Sequence, residues 1–119
     1  MNDVSTPMMY LLEKFLDVAS QRHTLVAGNM ANVDTPGYQT KDIDFRGELH
    51  RAVTSGPVRF TPVVRSVRGL LERPDGNNVS LDREGLLLAE TQLQYNLGVQ
   101  LLRSEFQTLL TAINEGSKA

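Results

Sequence analysis

The chain has 119 residues, enough for about one small domain and too few for a cofactor-binding domain joined to a separate substrate domain. Apolar residues make up 40% and aromatics 6%, with no Trp, so a self-sufficient core is thin. Twelve basic against fourteen acidic residues give a net charge of −2, which supplies no general attraction to nucleic acid or anionic lipid. The absence of Cys excludes a thiolate nucleophile, a disulfide framework, an iron–sulfur cluster and a Cys-type zinc site.

Met1-Asn2-Asp3-Val4-Ser5 lacks the basic start and apolar run of a cleaved secretory signal. No stretch approaches the roughly 18 apolar residues that cross a bilayer, so no direct bilayer insertion is expected. Thr6-Pro7 reads as a helix start, a hydroxyl at the N-cap followed by Pro where its missing N–H costs nothing. Leu12, Leu16, Ala19, His23, Val26, Met30 and Val33 then recur at alternating spacings of four and three, one face of a helix. Asp34-Thr35-Pro36-Gly37-Tyr38 ends it, with Pro36-Gly37 suited to the centre of a type II turn.

Residues 39–79 show no sustained helical period, and the β-branched run Phe60–Arg68 suggests one short strand between Pro57 and Gly69. Asp75-Gly76-Asn77-Asn78 is a turn, and Ser80 or Asp82 can cap a helix that begins near Leu81. In that helix Leu88, Gln92, Tyr95, Val99, Leu102, Phe106, Leu109 and Ile113 form one row, flanked by Leu86, Leu93, Leu97 and Leu101. Fraying is expected from Glu115 onward. The chain thus reads as mainly α. Two long terminal helices form an antiparallel, coiled-coil-like hairpin, and the irregular middle holds at most short β-strands. Its parts are 1–38, 39–79 and 80–119, within one structural unit. A two-helix hairpin buries one seam, so the wide apolar faces are expected to pack against copies or related chains.

Chemistry-bearing residues are few. His23 has no convergent partners by spacing and reads as a packed, hydrogen-bonded seam residue. Asp42, Asp44 and Glu48 fit no EF-hand spacing and read as a solvated acidic turn. Arg51, Arg59, Arg65, Arg68 and Arg73 make the stretch 51–73 basic, but Phe60 is the lone aromatic there, so an acidic protein surface suits it better than nucleic acid. No nucleophile–base constellation or phosphate loop stands out, and no catalytic residue, metal or cofactor is expected.

Asn29 and Asn32 lie one turn apart near the end of the first helix, beside small Ala27, Gly28 and Ala31. Their amides suit the last carbonyls and the turning backbone, or a register-fixing pair across a helix interface; the small residues would let another backbone approach. Ala31-Asn32-Val33-Asp34-Thr35-Pro36-Gly37-Tyr38 resembles the ANxxTPGY signature of the bacterial flagellar rod and hook axial proteins, in residues Ala31, Asn32, Thr35, Pro36, Gly37 and Tyr38. Asp75–Glu84 and Gln92-Leu93-Gln94-Tyr95 are similar to the runs DGNNVDLDRE and NQLQY of the proximal rod branch. Ser80 stands where that branch has an acid, and Gly85 where it has Met, which could shift the helix start by a turn.

The resemblance implies a non-enzymatic subunit of the basal-body rod, exported by the flagellar type III apparatus without a cleaved signal and assembled in the periplasm. It implies partners among copies of itself, a FlgC-like neighbour and a FliE-like membrane-ring adaptor, with torque carried toward the hook. Leu12, Leu16, Val26, Met30, Tyr95, Val99, Leu102, Phe106 and Leu109 are the expected assembly seam. The alternative is a cytoplasmic helical adaptor or secretion chaperone using the same stripes.

Overall fold

The structure, a computed structural model, describes residues 6–55 and 61–118. In chain order it contains α1 (Pro7–Ala31), β1 (Lys41–Ile43), α2 (Phe45–Ser55), β2 (Val64–Ser66) and α3 (Leu81–Lys118). The expected mainly helical hairpin is present, with α1 and α3 packed antiparallel and a small sheet in the middle. The fold measures 71 × 26 × 19 Å, a length set by α3, whose 38 residues span about 57 Å.

Both long helices begin where the capping chemistry places them. Thr6 accepts a hydrogen bond from the Met9 N–H at 3.0 Å with Pro7 following, and Ser80 accepts from the Arg83 N–H at 3.2 Å. Gly85 therefore does not displace the start of α3. Nor does α3 fray at Glu115: it continues through Gly116 to Lys118, because one glycine is a weak local penalty against extending a formed helix.

The middle segment is more ordered than its composition suggests. Residues 45–55 form a helix that sequence periodicity missed, since only Phe45, Leu49 and Ala52 mark its inner face. Asp44 starts it by accepting from the Gly47 N–H at 3.2 Å, and Phe45 stands edge-on to Phe15 of α1 with ring centroids 5.3 Å apart. The expected strand lies at Val64–Ser66. Its partner β1, which no sequence pattern marks, pairs antiparallel in the register Lys41↔Ser66, Asp42↔Arg65, Ile43↔Val64. Pro57, Arg59 and Phe60 lie outside the described residues.

The core follows α1, which is covered by α3 on one side and by α2 and β1 on others. Val18, Ala19 and Val26 are fully buried, joined by Met9, Leu12, Ile43, Ala52, Val79 and Leu87.

Candidate functional site

The segment that ends α1 is densely bonded. Asn29 is buried, and its carboxamide is completely used. Its Nδ2 donates to the Lys41 carbonyl and to Glu84 Oε1, both at 2.8 Å. Its Oδ1 accepts from the Tyr38 hydroxyl at 3.0 Å and from the Lys41 N–H at 3.1 Å. Asn32 turns back on its own helix, donating to the Gly28 carbonyl at 2.8 Å and accepting from the Thr35 hydroxyl at 3.0 Å.

Thr35–Tyr38 then forms the expected type II turn, closed by Tyr38 N–H to the Thr35 carbonyl at 3.2 Å with Gly37 at φ +75°. Ala31, Thr35, Pro36 and Gly37 are exposed, whereas Asn32 and Tyr38 are half-buried. Among the described residues no other backbone approaches the small residues beside the amides: Ala27 and Ala31 are exposed, and a methyl on Gly28 would meet nothing within 4 Å.

This turn interlocks with the Asp75–Asn78 turn, forty residues later. The Gly37 N–H donates to the Asp75 carbonyl at 2.8 Å, and Gly76, at φ +85°, sits so close that an added Cβ would lie 3.3 Å from Gly37 Cα. Buried Asn77 donates from Nδ2 to the carbonyls of Asn32 and Thr35, both at 2.8 Å. Asn78 Oδ1 accepts from the Thr40 N–H at 2.7 Å. Arg73 is drawn inward, donating to the carbonyls of Val33 and Val79 and to Asn77 Oδ1. Local composition marks Asp75–Asn78 only as a turn; that its two amides splice the two halves of the chain has no periodic signal.

A chain of ionic bonds continues from this junction. Arg22 donates to both Asp42 oxygens, at 2.8 and 3.0 Å, and Arg83 bridges Asp42 at 2.6 Å and Glu84 at 2.7 Å. Burial pushes the Asp42 carboxyl up, but bonds from Arg22, the Ile43 N–H and Arg83 outweigh it and hold it below the usual carboxylate range. The hydrogen bond to Asp42 raises Arg22 against burial, and burial with nearby Glu84 pushes the Tyr38 phenol up.

The reading of Asp42, Asp44 and Glu48 as a solvated acidic turn is therefore corrected. Asp42 and Glu48 are buried and paired, Glu48 with Arg51 at 2.7 Å, and only Asp44 is exposed. Of the expected basic surface, Arg73 and Arg51 are engaged internally, Arg65 and Arg68 are exposed, and Arg59 is not described.

The helix faces divide unequally. His23 is a packed seam residue, its Nδ1 2.9 Å from the Thr91 hydroxyl. On α3 the residues turned to α1 include Glu84, Leu87, Thr91 and Gly98, where an added Cβ would fall 2.7 Å from Leu16 and 3.0 Å from Phe15. The regular apolar row containing Leu88, Gln92, Val99 and Phe106 is offset from that line by one residue, roughly 100° around the helix. Leu12 and Val26 are buried inside the fold, and Leu16, Met30, Val99, Leu102 and Leu109 are half-buried.

Tyr95 and Phe106 are exposed, and on the opposite flank Leu86 and Leu93 are each 70% exposed, with Leu97 and Leu101 also open. Thr6 meets Glu105 at 3.4 Å, so Phe106–Lys118 projects past the start of α1 by about 20 Å. Among the described residues no helix is long and apolar enough to cross a membrane, and no group of three or more His, Asp or Glu could hold a metal ion.

No family model matches the chain. Among individual proteins, it is 31% identical over 126 aligned positions to the flagellar basal body rod protein FlgB of Salmonella typhimurium, covering 88% of this chain and 91% of that relative. The chain belongs to the FlgB family of flagellar basal body rod proteins. The FlgB of Cereibacter sphaeroides is 36% identical over 105 positions, covering 77% of this chain and 82% of its own length. That of Escherichia coli is 28% identical over 126 positions. As a FlgB-family member the chain is a structural component of the flagellar basal body rod, and its partners lie within that assembly. The adaptor or chaperone reading finds no support among these relatives.

Proposed function

We propose that the chain is a proximal rod subunit that works mechanically rather than catalytically, its terminal helices packing against copies of itself and related subunits to carry torque toward the hook. The seam comprises Leu16 and Met30 on α1 and Tyr95, Val99, Leu102, Phe106 and Leu109 on α3, with Leu86, Leu93, Leu97 and Leu101 as a second face; Leu12 and Val26, expected in the same seam, are instead buried within the fold. A FlgC-like subunit and a FliE-like membrane-ring adaptor are the neighbours. The chain reaches the periplasm through the flagellar type III apparatus. Segments 1–38, 39–79 and 80–119 act as one unit, with Ala31–Tyr38 fixing the direction in which the chain leaves α1.

The observation that carries this reading is the surface of α3. Its apolar residues lie on both flanks of the face given to α1 and continue beyond the start of α1, and among the described residues they remain largely exposed. Burying one such Leu is worth roughly 1.5–3 kcal/mol, and few monomers leave so long a stripe in water.

The test restores an epitope-tagged copy to a strain lacking the gene, then blots purified basal bodies and scores swimming. The wild-type chain should appear in basal bodies and restore motility. Leu93→Asp with Leu97→Asp should keep the wild-type melting temperature of the isolated chain yet fail to enter rods, since it buries unpaired charge at the interface. That double variant at wild-type abundance in intact rods would overturn the packing assignment.

A further inference from the structure

The two outer edges of the small sheet are treated differently. On β1 the outward groups are closed by side chains: the Lys41 N–H donates to Asn29 Oδ1 and the Lys41 carbonyl accepts from Asn29 Nδ2, so one carboxamide stands in for a third strand. The Ile43 N–H is taken by Asp42 Oδ1 at 2.7 Å. On β2, Asp42 faces Arg65 in register and the Val67 N–H donates to the Thr40 carbonyl at 3.0 Å. The ladder therefore uses alternate residues, and Val64 and Ser66 turn their N–H and carbonyl groups away from β1. Among the described residues nothing bonds to those groups, and every residue of β2 is exposed. An open edge of this kind is a template for another strand.

The charge around the edge narrows what fits it. Residues 61–68 carry Arg65 and Arg68 and no acid, and neither arginine has an ion pair among the described residues. Asp42, opposite Arg65, is already committed to Arg22 and Arg83. Lys41, across from Ser66, is exposed as well. The same edge of a second copy is a poor occupant, because residues 61–68 carry two arginines and no acid, so self-pairing brings positive charge to positive charge and supplies no partner for it. We propose that the open edge of β2 receives an extended, acidic segment of another protein chain in the assembled rod by strand addition. The inference rests on the rod assignment above.

The experiment compares amide hydrogen exchange, resolved to single residues by mass spectrometry, in the isolated chain and in intact basal bodies. The Val64 and Ser66 amides should slow by about tenfold or more on assembly. Ser66→Pro removes an outward N–H without removing a ladder bond, and should lower incorporation about tenfold, the factor expected for one or two lost backbone hydrogen bonds. Ser66→Thr, which keeps the N–H, should incorporate normally. Arg65→Glu with Arg68→Glu should reduce incorporation as Ser66→Pro does.

Unchanged exchange at Val64 and Ser66 in basal bodies, or equal incorporation of the Pro and Thr variants, would overturn strand addition. Unaltered incorporation of the double Glu variant would overturn the acidic partner. If Ser66→Pro does not fold, the wild-type exchange comparison decides alone. Absence of the wild-type chain from basal bodies would instead strike the rod assignment.

Discussion

Replacing Asn29 with Ala tests whether the junction, rather than the apolar core, sets the geometry of the helix pair. The substitution removes four hydrogen bonds at a buried position: two with the Lys41 backbone, one from the Tyr38 hydroxyl and one to the Glu84 carboxylate. Three neutral bonds at about 1 kcal/mol each and one charge-assisted bond at about 2 give a gross loss near 5 kcal/mol. Ala returns roughly 0.6 kcal/mol of helix propensity, and water entering the small space recovers more, leaving a net loss of about 3–4 kcal/mol. Against the 5–15 kcal/mol typical of a domain this is a large fraction, and it should lower the melting temperature by about 10–15 °C.

Urea and thermal denaturation followed by circular dichroism measure it directly. A loss below about 1 kcal/mol would refute the junction as a stabilising element. Asn29→Asp sharpens the test. It keeps both acceptor bonds but sets a carboxylate oxygen against the Lys41 carbonyl and the Glu84 carboxylate, so at neutral pH it should be at least as destabilised as Asn29→Ala.

Three further outcomes follow from the same geometry. Asp42 has a folded pKa below its ordinary value of about 3.9, so its contribution is complete above roughly pH 4 and is lost as pH falls through the folded value. Asp42→Asn should flatten the acid limb of the urea midpoint between pH 7 and 2, and an unchanged limb would count against the ionic chain. Gly85→Ala adds a methyl where nothing lies within 4 Å inside a helix, and should raise stability by about 1 kcal/mol in urea unfolding. Gly98→Leu drives a side chain into Phe15 and Leu16 and should cost about 2–3 kcal/mol; a neutral result would show that α1 and α3 do not approach there as described.

What the sequence disclosed depended on the range of the interactions. Thr6-Pro7, Ser80 and Pro36-Gly37 announce helix starts and a turn because capping and turn geometry are local. The α1 stripe reads correctly because its inward face is apolar along most of its length. On α3 the periodic row is displaced by one residue from the face turned to α1, since that face includes Glu84, Thr91 and Gly98. Small and hydrogen-bonding residues serve a close helix approach there, while the larger apolar side chains point elsewhere.

Helix α2 is short and carries Gly47, so three apolar positions were too few to signal it. The acids at 42 and 48 look solvated in the sequence because their partners are hidden from any local rule. Arg22 and Arg83 stand twenty and forty-one residues from Asp42, and the i,i+3 pair Glu48–Arg51 becomes visible only once α2 is known to be a helix.

The distribution of burial gives the molecule two kinds of determinant. Asn29, Asp42, Asn77, Asn78 and Glu84 are buried around the junction, whereas Leu86, Leu93, Leu97 and Leu101 are in water. Polar groups satisfied in this way contribute little net stability each, but an arrangement that mispairs them leaves desolvated donors and acceptors, so they select one geometry strongly. Apolar burial acts in the opposite sense: it is generous in free energy and indifferent to direction. A chain that spends its polar residues on fixing the angle between two helices and keeps its leucines outside is a rigid, modestly stable piece. On the proposed reading, most of its stabilisation arrives with its neighbours, because burial of the outer leucines adds to folding by mass action. Shape is then set before assembly and strength by assembly, the order a rod of repeated subunits requires if each addition is to present the next with an unchanged surface.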